Sequence, residues 1–342
     1  MQRPFHRGCQ SINCFIDFTE LIAQHPVEPR DTSRLLVIDR AKQSLTHQHF
    51  YNVVDLLNPG DLLIANDTSV INARLLGQKP TGGKVEVLLL RKRDERVWEA
   101  LVGGRRVSQV EFGLPDGRTL SAQVLEKLDG PQSLIEFSEA VEPYLAQIGS
   151  TPLPPYIHER LSDPTRYQTV YARVAGSAAA PTAGLHFTPA LLGALQAKGV
   201  QVAFVTLHVG LDTFKPIDED TVEGHAIHSE WCALSEETAR LIDTTKRAGA
   251  RVIAVGTTST RTLESAWQFD RGAWNGFTRL FITPGYTWRC VDALITNFHL
   301  PRSTLLALVG SFTGMELMRR AYAEAIQERY RFYSFGDAML IV

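Results

Sequence analysis

The chain has 342 residues, of which 44% are hydrophobic and 21% charged, and a formal net charge of −2. Those proportions exclude a disordered or fibrous chain and predict a globular one with length enough for two domains. Lys and Arg (35) do not outnumber Asp and Glu (37), so there is no bulk basic field for nucleic acid, and any RNA contact must come from a local patch.

The opening segment, MQRPFHRGCQSINCF, lacks the apolar core of a secretory signal. Cys9 and Cys14 are spaced unlike a zinc knuckle, and neither Cys232 nor Cys290 completes a pair with them. The best apolar run, LLALVGSF from Leu305, is too short to span a bilayer. Together these predict a reduced, cytoplasmic protein with no membrane partner, and a monomer is the default.

The first predicted element ends in Asp61-Leu62-Leu63-Ile64-Ala65, an apolar run of buried-strand length. It leads directly into Asn66-Asp67-Thr68-Ser69, with Arg74 beyond. A carboxylate, hydroxyls and a guanidinium suit ribose hydroxyls or a substrate carboxylate; an Asx-type turn closing the strand suits the same residues. Between about Leu75 and Phe137 short runs follow one another: VEVLLL, VWEALV, VSQVEF, TLSAQVLEKL and SLIEF. They are punctuated by Gly82-Gly83, Gly103-Gly104, Asp116-Gly117 and Asp129-Gly130, which predicts a small all-β barrel or sandwich. Arg91, Lys92, Arg93, Arg105 and Arg106 fall near its turns. Clustered cations suit phosphates, and a solvated hairpin face accounts for them equally well.

GSTPLPP, from Gly149, is a rigid boundary segment. Beyond it the pattern alternates. Helices are predicted over Pro189–Lys198, Ser235–Ala248, about Thr260–Gln268 and Gly314–Arg329, with strands at VQVAFVTLHV (from Val200) and RVIAVG (from Arg251). That alternation predicts an α/β domain made of residues 1–74 and 150–342, with 75–149 as an inserted β unit.

Polar residues gather just beyond the predicted strands, where loops of α/β domains converge on sites. GSAAAPTAGLHFT, from Gly176, carries His186; VTLHVGLDTFKP, from Val205, carries His208 and Gly210. Either histidine is a candidate for proton transfer, and either reads also as a structural histidine. The spacing of His225, His228 and Glu230 permits a metal site only if a third ligand arrives from elsewhere; no HExxH or cysteine pair supports one, and a plain polar loop or a substrate-binding loop suits the same residues. Val255-Gly256-Thr257-Thr258-Ser259-Thr260-Arg261 reads as a strand, a hydroxyl-rich turn and a helix start. Such a start suits an anion, with Arg261 adding a forked contact; ordinary capping is the plain alternative.

Singly these signals are weak, but their wording and order are specific. From Leu21 to the C-terminus the chain resembles the S-adenosylmethionine:tRNA ribosyltransferase-isomerase family. The stretches that carry the resemblance are LIAQHPVEPRDTSRLLV, GGKVEVLLL, PLPPYI, RYQTVYA, AAPTAGLHFT, VTLHVGL, VGTTSTRTLES, TNFHLPRSTLLALV and FYSFGDAML. Residues before about Asp17 do not match, and the pattern departs at Ser69, Asn72, Asp212, Lys215, Gly310 and Thr313.

The resemblance implies a larger barrel-like α/β domain with an inserted small β-barrel. It implies S-adenosylmethionine as ribosyl donor, no metal, and a tRNA partner carrying 7-aminomethyl-7-deazaguanine in a GUN anticodon. The sugar would be isomerised to give epoxyqueuosine-tRNA, with adenine and methionine released. On that basis His186, His208, His228 and Glu230 are the expected catalytic residues. Asn66, Asp67, Thr68, Arg74, Thr182, Gly210, Thr257, Thr258, Arg261, Asn297 and His299 are the expected substrate-binding residues. The five barrel cations are the expected tRNA contacts. Two competing expectations are a non-catalytic tRNA-binding relative and a metal-dependent hydrolase built on His225, His228 and Glu230.

Overall fold

A computed structural model describes residues 18–128, 132–159, 161, 163–210, 227, 229–269 and 272–342. In chain order the strands are β1 (Arg34–Asp39), β2 (Ser44–His49), β3 (Leu62–Asn66), β4 (Thr68–Val70), β5 (Arg74–Gln78), β6 (Lys84–Lys92), β7 (Val97–Val102), β8 (Gln109–Gly113) and β9 (Thr119–Lys127). They continue with β10 (Gln132–Phe137), β11 (Gly149–Ser150), β12 (Val174–Ser177), β13 (Gln201–Leu207), β14 (Glu230–Leu234), β15 (Val252–Val255), β16 (Trp274–Thr278), β17 (Ala293–Asn297) and β18 (Ala338–Ile341). The longer helices are α1 (Pro189–Ala197), α2 (Glu236–Arg247), α3 (Gly256–Phe269), α4 (Thr304–Thr313) and α5 (Met315–Gln327).

Nine strands form one mixed sheet in the order β16-β14-β13-β3-β15-β17-β18-β1-β2. Its centre, β13-β3-β15-β17, is parallel. Strands β3, β15, β17 and β18 are buried at every position, because helices cover both faces. Alternate residues serve the two cores. Leu62, Ile64, Val252, Ala254 and Leu294 pack with α2, α3, α4 and α5, while Leu63, Ala65, Ile253, Val255, Ala293 and Ile295 pack with α1 and Phe50. Each two-residue repeat thus buries one side chain per face.

Six antiparallel strands, β5-β6-β7-β10-β9-β8, make a separate barrel closed by the Gln78–Glu111 pairing of β5 with β8. The barrel interior holds Leu75, Val87, Leu89, Trp98, Phe112, Leu120 and Phe137. The α/β class with an inserted β-barrel, expected from the sequence, is the observed fold.

Two local expectations need correction. Helix α3 begins at Gly256, so Thr257 to Arg261 lie inside it and are not a turn before it. The chain leaves β15 through Gly256 at φ +84°, which makes the reversal in one residue, and the Ser/Thr run that reads as a loop is packed into the helix. Helix α4 carries Leu306, Leu308 and Phe312 into the core, although its sequence reads only as an apolar run. Among the described residues no helix is long and apolar enough to cross a membrane.

Candidate active site

The central parallel strands all point their C-terminal ends to one edge of the sheet. That edge collects Asn66 to Thr68 after β3, His208 after β13, the start of α3 after β15, and Asn297 to His299 after β17. Facing it is the barrel, and between them lies a cavity of about 1740 Å3. The sheet side contributes His208, Gly210, Glu230, Trp231, Arg261 and Phe277; the barrel side contributes Arg91, Lys92, Arg93, Trp98 and Glu142.

His208 is fixed from three directions. Its Nδ1 lies 2.8 Å from Thr68 Oγ1, and its ring stacks on Trp231 at 5.2 Å. Below it runs β12, paired in parallel with β4. A Cβ at Gly176 would sit 2.8 Å from His208 Nε2, and φ there is +145°, so only glycine lets the backbone pass under the ring. Burial lowers the His208 pKa and so disfavours the imidazolium, while the nearby Asp67 carboxylate works the other way.

Glu230 and Arg261 form a buried ion pair on the cavity wall, their side chains 7% and 8% exposed. Glu230 Oε1 also accepts the Gly210 N–H at 3.2 Å. Arg261 Nε donates to the Leu280 carbonyl at 3.2 Å, and its Nη2 is buried with no hydrogen-bond partner among the described residues. Both N–H groups of that nitrogen are therefore left unpaired among the described residues.

A second pocket, of about 50 Å3, adjoins the first at Leu305, which lines both. Its walls include Thr182, Thr257, Thr258, Asn297, His299 and Ser303. Thr182 donates to Asn297 Oδ1 at 3.0 Å, and His299 Nε2 lies 2.7 Å from Thr296 Oγ1. Burial pushes the His299 pKa down to about 3. Ser303 caps α4, and Thr258 Oγ1 is buried without a hydrogen-bond partner among the described residues. The volume admits one or two water-sized groups and no ring.

Several expected site residues lie elsewhere. His186 does not line the cavity: its Nδ1 is 2.8 Å from Ser33 Oγ, its Nε2 is 3.2 Å from Asn297 Nδ2, and its ring stacks on Phe50. Burial pushes its pKa to about 3, and with both nitrogens occupied it is a packing residue. Asp67 is likewise engaged away from the cavity, with Oδ2 held by Arg173 at 2.9 Å and Oδ1 by Thr206 at 2.7 Å. Asn66 is fully buried and clasps Leu207 through both its amide atoms, so it positions His208 from behind. Arg74 opens barrel strand β5 beside Glu86 at 3.5 Å, outside the cavity. Arg105 and Arg106 sit in an exposed barrel turn, also outside it.

His225, His228, Asp212 and Lys215 lie outside the described residues. Among the described residues no three His, Cys, Asp or Glu side chains could hold a metal. Trp231, Phe277, Arg279 and Gly176 line the cavity and were not anticipated. Only the alternation of β14 and β16 carries a trace of Trp231 and Phe277, and their pairing is decided by a 46-residue separation.

A cavity walled by strand-end polar groups on one side and barrel cations on the other defines an α/β protein whose candidate site lies between its sheet and its inserted barrel. Residues 17–341 match the model of the family described as queuosine biosynthesis protein, and the chain belongs to that family. Among solved structures it is similar to an S-adenosylmethionine tRNA ribosyltransferase from Thermotoga maritima. The two are 38% identical over 94% of this chain and 97% of that one, with a TM-score of 0.55. The resemblance read from the sequence is thereby borne out.

Proposed function

We propose that this protein transfers and isomerises the ribosyl group of S-adenosylmethionine onto 7-aminomethyl-7-deazaguanine at the wobble position of a GUN anticodon, giving epoxyqueuosine-tRNA, adenine and methionine. The observation that carries this reading is His208, an imidazole at the end of a central strand, oriented by Thr68 and lining a cavity large enough for a nucleoside and a base together.

The donor's sulfonium makes the adjacent C5′ hydrogens acidic, so the first need is a base. Thr68 Oγ1 is 3.4 Å from the Val174 carbonyl. With Thr68 donating there and accepting from Nδ1–H, His208 Nε2 carries the lone pair. Nε2 takes the C5′ proton, sulfur stabilises the electron pair left on carbon, and the proton is then at hand for the departing adenine. The C5′ pair forms C5′=C4′ as the C4′–O4′ bond opens, O4′ becomes the C1′ carbonyl oxygen, and adenine leaves with the C1′–N pair and takes up that proton. The neutral acceptor amine then adds to C4′ and gives up a proton, the C5′ carbanion so restored beside sulfur bonds to C1′, and the C1′ alkoxide displaces methionine from C5′ to close the epoxide.

The donor's amino-acid end fits between Arg261 and the start of α3, which open on either side of Leu305. Arg261 offers Nη2 to its carboxylate, and Glu230 keeps the guanidinium in place. Thr182, Thr257, Thr258, Asn297 and His299 line the small pocket next to it, sized for a carboxylate rather than for rings. Arg91, Lys92 and Arg93 line the barrel side of the cavity, and their charge suits the phosphates of the tRNA. His186, Asp67 and Arg74 have no part in this scheme.

The test is incubation with S-adenosylmethionine and tRNA bearing the aminomethyl base, following adenine, methionine and the modified nucleoside. His208→Ala should lower adenine release about 10²–10⁴-fold, the usual worth of a positioned base. Tight tRNA binding by the wild-type protein without adenine release would replace this reading with a non-catalytic tRNA binder.

A further inference from the structure

Strands β14 and β16 pair so that Trp231 stands opposite Phe277. Directly opposed residues of an antiparallel pair share a face, and here that face lines the cavity. His208 stacks on Trp231, and the Arg91 guanidinium carbon lies over the Phe277 ring, 3.9 Å from its centroid. The result is a shelf of planar groups running from the candidate base to the barrel wall. Phe277 is 45% exposed, unusual for a phenylalanine with a core close at hand.

Arg91 reaches this position because the β6–β7 register shifts between Leu89 and Arg91, a bulge that re-aims the side chain. Arg279, two residues beyond Phe277, also lines the cavity. Neighbouring Lys92 and Arg93 pair with Glu142 and Glu99. Arg91 and Arg279, by contrast, have no carboxylate within ion-pair distance among the described residues.

We propose that Trp231 and Phe277 form a nucleobase-stacking shelf for an unstacked base of the RNA substrate, with Arg91 and Arg279 meeting its phosphates. This deepens the function proposed above and rests on it. The guanidinium over Phe277 holds the place of a base: it is itself planar and cationic, and a base sliding onto the ring displaces it to the edge, where a phosphate lies. Stacking on aromatic rings flanked by cations is how single-stranded RNA is seated on protein surfaces. The adenine of S-adenosylmethionine has the same flat face. That donor carries a net positive charge, however, which two unpaired guanidinium groups repel, whereas they attract a polyanion.

The experiment measures the affinity of a fluorescent anticodon stem-loop RNA, and separately of S-adenosylmethionine, for the wild-type protein and for Phe277→Ala, Phe277→Leu, Phe277→Tyr and Arg279→Gln. Base–aromatic stacking of about 1–3 kcal/mol predicts a 5- to 150-fold weaker RNA Kd for Phe277→Ala. Phe277→Leu, which keeps apolar bulk without a ring, should lose nearly as much, and Phe277→Tyr should stay within about 2-fold. Donor affinity should be unchanged in all three. Arg279→Gln should lower the salt dependence of RNA binding by about 0.7–1 in log–log slope.

Unchanged RNA affinity in Phe277→Ala and Phe277→Leu would overturn the shelf while leaving the enzyme reading intact. Loss of donor affinity with RNA affinity preserved would overturn it in favour of adenine. A wild-type protein that binds neither ligand would overturn both the shelf and the function.

Discussion

Replacing Glu230 by Gln tests how the cavity wall is held. The two side chains of the Glu230–Arg261 pair are 7% and 8% exposed, so surface screening does little to weaken their attraction. A pair about 4 Å apart at an effective dielectric near 20 is worth about 4 kcal/mol. Removing one partner also strands the other as a buried charge, and the expected loss of stability is about 3–5 kcal/mol. With a urea m-value of about 3 kcal/mol per molar, that is a midpoint shift of about 1–1.7 M. The double variant Glu230→Leu/Arg261→Met, which removes both charges, should recover most of this stability. It should still fail to release adenine, because the Nη2 donor is gone. Urea unfolding of the wild-type, single and double variants gives the coupling energy directly. A single variant that loses less than about 1 kcal/mol, or a double variant whose loss equals the sum of the singles, would refute the picture of a buried, mutually dependent pair.

Gly176→Ala should cut adenine release while sparing the fold. Its Cβ would lie 2.8 Å from His208 Nε2 at φ +145°, so the imidazole must turn away from the cavity; full turnover in this variant would contradict the placement of the base. His186 predicts an acid limb in stability. Its folded pKa, about 3, is below the ordinary 6.5, so between those values the unfolded chain binds the extra proton. The contribution is complete above pH 6.5 and is lost as pH falls toward 3, by about 2 kcal/mol at pH 5. Urea midpoints at pH 7 and 5 should show this slope, and His186→Gln should flatten it.

Much of the fold was legible along the chain. The apolar runs at Leu62 and Val252, the glycine-punctuated strands from Val85 to Phe137, and Ser235 capping a helix with acids in its first turn each combine local propensity with a repeat of two or 3.6 residues. The order of the strand ends also marked where the polar residues would gather, and His208 and Arg261 stand in the cavity. What a local pattern cannot carry is the partner of each polar group. Asp67 and His208 sit equally well at strand ends in the sequence. Only the packed structure gives Asp67 to Arg173 and Thr206, 106 and 139 residues away, and turns His208 to the cavity.

The same holds for His186, which precedes an aromatic residue like a candidate base and is closed off by Ser33, Asn297 and Phe50 from distant segments. The amino-acid sequence alone therefore marked strands β3, β13 and β15, helices α1, α2 and α5, and a small β unit set into an α/β chain, because these follow from nearest neighbours and periodicity. Tertiary structure alone decided which charges are spent on one another, as Glu230 and Arg261 are, and which polar atoms, like Arg261 Nη2, are left without a partner among the described residues. That allocation depends on burial and register between strands far apart in the chain.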